Sequence, residues 1–146
     1  MNPHHSPALP LAAVRQTIEA ALAQAASLQV AGVSIAIVDA GANLLAFIRT
    51  DDCFLGAIYL AQRKALTAIR FRASTAALGA MSGDGPLRGI EHSHGGLVTF
   101  GGGEPLVDGD GRCVGAIGIS GGSVEQDDAI ARHCRDRFHA TFPTSR

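Results

Sequence analysis

The chain has 146 residues, 47% hydrophobic and 17% charged, with a net charge of -1 and a pI near 6.6. That length suits one domain with a single core, and the composition excludes a disordered chain. The near-neutral charge, the lack of Trp and the single Tyr exclude a basic or base-stacking surface for nucleic acid. No apolar run approaches the ~18 residues of a membrane span.

Residues 1–9 are rich in Pro and His without periodicity and are expected to form a loose tail, with one domain over residues 10–146. No Lys or Arg precedes Leu11, unlike a secretory signal, so the expected location is the cytoplasm. Leu11, Val14, Ile18, Leu22, Ala25 and Leu28 recur at helical spacing, and Pro10 suits a first helical turn. Val33 to Asp39 alternates, Asp39 to Asn43 has turn chemistry, and Leu44 to Thr50 completes a predicted hairpin. Helices are predicted over Phe54–Phe71 and Thr75–Met81.

A short strand is then predicted at Leu97–Phe100. A hairpin follows, with Pro105–Val107 and Arg112–Ser120 flanking the tip Asp108-Gly-Asp-Gly111. A closing helix runs from Val124 to about His139, with a stripe of Val124, Ala131, Cys134 and Phe138. Hairpins imply an antiparallel sheet covered by helices. Cys53, Cys113 and Cys134 are odd in number and share no CxxC spacing, so they are read as buried thiols.

Fourteen of the eighteen glycines fall between Gly83 and Gly122. Glycine this dense marks backbone that turns tightly or approaches something closely, and these loops are expected to line any binding site. Gly101, Gly102 and Gly103 can present a nest of N–H groups, although they match neither a P-loop nor a dinucleotide fingerprint. Ser120, Gly121 and Gly122 end a strand and open a helix. Ser123 with Gln126 fits a capping box there, and free amides at such a terminus attract a carboxylate or phosphate.

Lys64 has Leu60, Ala61, Ala68 and Phe71 as helical neighbours. A lysine on such a face either snorkels to water or meets an anion. Burial would lower its pKa and make it a base or Schiff-base nucleophile. Glu91 and His92 offer an acid–base pair. In an extended segment His92 and His94 would project the same way, but His-x-His is too common a spacing to assign a metal. His133 and His139 lack i,i+4 spacing and receive no role.

The segments Gly89 to Gly103 and Gly115 to Asp127 resemble the signature of the GlcG/HbpS-like, or haem-degrading domain, family, which includes the C-terminal domain of PduO-type proteins. Val38 to Phe47 and Ala61 to Ala68 also match, so the likeness covers about Leu11 to Phe138. The resemblance implies a profilin-like α/β fold, a five-stranded antiparallel sheet flanked by helices, and a homo-oligomer. It implies haem as a ligand, since some members bind haem.

Three functional readings follow. The first is a small-ligand-binding protein of this family, with haem as the ligand. The second is a cofactor-free enzyme on a small carboxylate, held by Lys64 and the glycine loops, with Glu91 or His92 moving a proton. The third is a structural oligomerisation module. Lys64, Glu91, His92 and the amides near Gly102 and Gly121 are expected to converge on one pocket for a small anion.

Overall fold

A computed structural model describes residues 9–142. The elements in chain order are α1 (Leu11–Ser27), β1 (Ser34–Asp39), β2 (Leu44–Arg49), α2 (Gly56–Phe71) and α3 (Thr75–Met81). A 3-10 turn (Ile90–His92), β3 (Gly103–Val107), β4 (Cys113–Ser120) and α4 (Val124–Thr141) complete the order. The four strands form one antiparallel sheet in the order β2-β1-β4-β3. Helices α1 and α4 cover one face and α2 covers the other.

The inner strands are buried on both faces, so their alternation sorts residues between two cores. Ile35 and Ile37 of β1 lie opposite Ile119 and Ile117 of β4, and this row packs under α1 and α4. Ala36 and Val38 lie opposite Gly118 and Ala116 and face Ala61, Ala65 and Ala68 of α2. Gly118 also lies opposite Gly103, so Ala36, Gly118 and Gly103 form a row of small residues across three strands. α2 seats so close on this row that a Cβ at Gly118 would fall 1.9 Å from the Ala61 carbonyl oxygen. Pro105 sits on β3, an edge strand, where its missing N–H removes no interior bond.

Both hairpin tips are held by an aspartate. Asp39 Oδ1 accepts from the amides of Gly41 and Asn43, and Asp108 Oδ1 accepts from those of Asp110 and Arg112. This is the Asx-turn chemistry expected of these residues.

Three expectations need correction. The expected fifth strand at Leu97–Phe100 does not form, so the sheet has four strands. The Leu97 amide donates to the Glu91 carbonyl, and the Val98 amide donates to Thr67 Oγ1 on α2. A Cβ at Gly79 of α3 would lie 2.0 Å from the Thr99 carbonyl oxygen. The segment is thus fixed against helices, and its apolar pattern reflects burial of Leu97 and Val98 there. Secondly, residues 1–8 of the expected tail lie outside the described residues, but Leu9 is buried in the core under α1 and α4. Thirdly, Pro10 is the N-cap of α1, one position earlier than expected, and Leu11 is 62% exposed. The buried stripe of α1 is Val14, Thr17, Ile18, Ala21 and Ala25.

Gly118→Ala is expected to destabilise the protein by about 3 kcal/mol or more, the upper part of the overpacking range, because the new methyl meets helix backbone. Gly56→Ala, whose nearest neighbour would be 3.5 Å away, is expected to be neutral or stabilising. Urea unfolding of the two variants checks the contrast.

Candidate functional site

The close seating of α2 carries Lys64 into the interior. It is 1% exposed and is the largest of the fully buried side chains. Its Nζ donates to the Ile119 carbonyl at 2.8 Å and to Asp127 Oδ2 at 3.2 Å. Ile119 is near the end of β4, and Asp127 is in the first turn of α4, where the helix dipole favours a carboxylate. The Phe100 ring lies over the amine, its centroid 5.2 Å from Nζ.

The two glycine runs close around this pair. Gly102 has φ +122°, and a Cβ there would lie 2.6 Å from Lys64 Nζ and 2.6 Å from the Ile119 oxygen. Gly121 has φ +146°, and a Cβ there would lie 2.2 Å from the Gly32 oxygen. Both backbone conformation and space therefore require glycine. Gly103 donates its amide to buried Thr75 Oγ1, and Gly101 lies against Asp128. Ser120 is buried and opposes Ser34 on β1.

The amides expected to hold an external anion have an internal one. Gly122 donates to Asp127 Oδ1 at 2.8 Å. The Ser123 side chain accepts from the Gln126 amide while Gln126 accepts from the Ser123 amide, so the expected capping box is present. Lys64 thus meets an anion, and that anion is Asp127 of the same chain.

Burial lowers the Lys64 amine from its ordinary pKa, against the opposing pull of the Asp127 and Asp128 charges. Burial raises the Asp127 carboxyl, against the Lys64 charge and the amides of Gly122 and Gly121. Both members of the pair are therefore shifted toward their neutral forms. Nearby, Glu104 is also raised by burial, opposed by Arg135, whose Nη1 lies 3.2 Å from its Oε2.

Glu91 and His92 share no hydrogen bond or ion pair with this cluster among the described residues. They lie on the 3-10 turn, 3.7 Å from each other, and the His92 side chain is 85% exposed. Their loop is tied to α2 through Arg63, which donates to the Gly95 and Gly96 carbonyls, and through Thr67. His94 has φ +55°, so the segment is not extended and His92 and His94 do not share a face as an extended strand would arrange them.

A second feature lies on the other face of the sheet. A groove of about 740 Å³ runs between α1 and α4, with Ala20, Phe138 and Phe142 among its apolar lining and Arg15, Arg137 and His133 among its polar lining. Cys134 borders it, but burial pushes that thiol up to about 12, so it is no thiolate at neutral pH. The sequence pattern gave His133 and both arginines no role. The signal was available only by mapping two distant helices onto one surface.

The architecture is that of an α+β domain with a buried Lys–Asp pair and an interhelical groove. Residues 9–136 match the family described as haem degrading protein HbpS-like, and the chain belongs to it. The chain is 40% identical over 136 residues to the corrinoid adenosyltransferase PduO of Salmonella typhimurium, covering 89% of this chain but only 40% of that protein. The crystal structure of Klebsiella pneumoniae ORFY matches with a TM-score of 0.87 and 29% identity, over 98% of this chain and 99% of that one. The crystal structure of a PduOC–haem complex matches with a TM-score of 0.82 and 40% identity, over 88% of this chain and 94% of that one.

Lys64→Met is expected to cost about 3–5 kcal/mol, because it leaves the Asp127 carboxyl buried without its partner. The double variant Lys64→Met/Asp127→Asn is expected to regain more than half of that loss. Urea unfolding of the single and double variants measures both, and a loss below about 1 kcal/mol in the single variant would contradict the pairing.

Proposed function

We propose that this protein is a small-ligand-binding member of its family and that its ligand is haem, bound in the groove between α1 and α4. The observation that carries the reading is the groove's donor set. Haem presents a flat apolar macrocycle, two propionates and an iron that takes an axial donor. The groove offers apolar side chains, the guanidiniums of Arg15 and Arg137, and the imidazole of His133. Its volume of about 740 Å³ is within the range of small-molecule sites. Arg15 and Arg137 would pair with the propionates and His133 would face the iron. The likeness to a protein solved as a haem complex supports the same ligand class.

Haemin titration followed by Soret absorbance tests this. A saturable shift is expected for the wild-type chain. His133→Ala is expected to move the Soret maximum, and Arg15→Ala and Arg137→Ala are each expected to weaken binding about tenfold, the worth of a lost charge-assisted hydrogen bond. Absence of a saturable shift refutes the reading.

The reading of Lys64, Glu91 and His92 as catalytic residues on a small carboxylate, with Gly101, Gly102, Gly103, Ser120, Gly121 and Gly122 as the anion cradle, has less in its favour. Asp127 already occupies the anion position beside Lys64 and the Gly122 amide.

We further propose a homo-oligomer. β2 is an edge strand with Leu44, Leu45 and Ile48 exposed, and Phe54, Leu55 and Tyr59 are exposed at the start of α2. An open apolar edge is covered in most soluble proteins. Light scattering at micromolar concentration is expected to give at least twice the 15.0 kDa chain mass. Leu55→Asp combined with Tyr59→Asp is expected to lower it to the monomer value. A wild-type protein running as a monomer overturns this reading.

A further inference from the structure

Of the twelve Lys and Arg residues, eleven are arginine and one, Lys64, is lysine. A permanent cation beside a carboxylate is well served by arginine, whose fork fits both oxygens. Lysine differs in having a compact head and in being able to lose its proton. The crowding at Gly102 demands the compact head. The second property matters because Nζ and Asp127 Oδ2 are 3.2 Å apart in a buried site, so a proton can pass between them without reaching water. An amine with an adjacent carboxyl proton carrier is the arrangement of a Schiff-base nucleophile.

Two further observations give this amine a door and a neighbour. The Phe100 ring that lies over Nζ is itself 41% exposed, and it is followed directly by Gly101 and Gly102 before β3 begins. The ring therefore meets both the amine and solvent, and two glycines follow it. In addition, Asp128 Oδ1 is buried without a hydrogen-bond partner among the described residues, although its other oxygen lies 3.7 Å from Arg132. A Cβ at Gly101 would lie 2.9 Å from that orphan oxygen, so it borders the same glycines. A buried acceptor without a donor is rare in native structures, and a bound water, ion or ligand is one way to supply the donor.

We propose that Lys64 condenses reversibly with small neutral hydroxyaldehydes admitted beneath Phe100, with Asp127 carrying the protons and Asp128 Oδ1 accepting a hydrogen bond from the substrate hydroxyl. The Nζ lone pair attacks the carbonyl carbon, forming the N–C bond as the C=O π pair moves onto oxygen. One Nζ proton passes through Asp127 to that oxygen and gives a neutral carbinolamine. The second proton follows the same route, the C–O bond breaks, and water leaves as the C=N bond forms. Aldehyde and amine become imine and water, with no change of oxidation state. The carboxylates of Asp127 and Asp128 beside the amine disfavour an acidic substrate, which distinguishes this site from one for a small carboxylate. The inference does not depend on haem binding, because the groove lies on the opposite face of the sheet.

The test uses the wild-type chain with glycolaldehyde and cyanoborohydride at pH 7, which fixes an imine as a hydroxyethyl amine. Lys64 is the only lysine, so peptide mass mapping separates it from the N-terminal amine without ambiguity. Lys64 is expected to be modified at least about tenfold faster in the native chain than in the urea-unfolded chain, a modest part of the acceleration that positioned proton transfer supplies. Phe100→Ala is expected to raise the native rate further. Glyoxylate, of the same size but charged, is expected to react more slowly than glycolaldehyde. Modification confined to the N-terminal amine, or native Lys64 reacting more slowly than in the unfolded chain, overturns the proposal. A faster reaction with glyoxylate overturns the assignment of a neutral substrate.

Discussion

A helix comes to rest at close range on a sheet only where neither surface carries bulk, and α2 meets that condition across three strands. Ala36, Gly118 and Gly103 supply the floor, and Ala61, Ala65 and Ala68 supply the helix face. Nothing larger than a methyl group separates the layers at that point. Lys64 lies on the same helix face, and its side chain reaches the end of the sheet, where β4 turns into α4. The position of the amine, the glycines that surround it and the carboxylate that meets it all follow from this seating.

Much of this was legible in the sequence because it depends on local pattern. The alternation of Val33 to Asp39 and the turn chemistry of Asp39 and Asp108 specify both hairpins through interactions within a few residues. The Ser123–Gln126 capping box fixes the start of α4 in the same local way. The seclusion of Lys64 was signalled by its apolar helical neighbours, but its partner was not. Asp127 lies 63 residues along the chain, and nothing local distinguishes it from Asp128. Leu97 to Phe100 misled for the opposite reason. Apolar residues report burial, not the kind of element that buries them, and here the covering surface is helical. Glu91 and His92 are close in sequence to the glycine loops, yet the 3-10 turn and the Arg63 anchor hold their loop against α2 by its own set of bonds.

Helix α4 links the two regions of interest. Its first turn supplies Asp127 to the buried pair, while His133 and Arg137, in its second half, border the groove it forms with α1. Its buried residues Ile130, Ala131, Cys134 and Phe138 fasten the length between them to the sheet. A rigid, well-packed helix of this kind keeps the two regions in fixed relation, so each is shaped by the same core.

With its sole lysine enclosed, the protein carries its permanent positive side-chain charge at the surface on arginine. Guanidinium keeps its charge beyond pH 12, and acylating agents that neutralise lysines leave it intact. The arginine charge is consequently insensitive both to alkaline titration and to lysine acetylation. Arginine's contacts with acids are set by planar, two-pronged hydrogen bonding, and the net charge changes with pH through carboxylates, histidines, thiols, the single tyrosine, Lys64 and the chain ends.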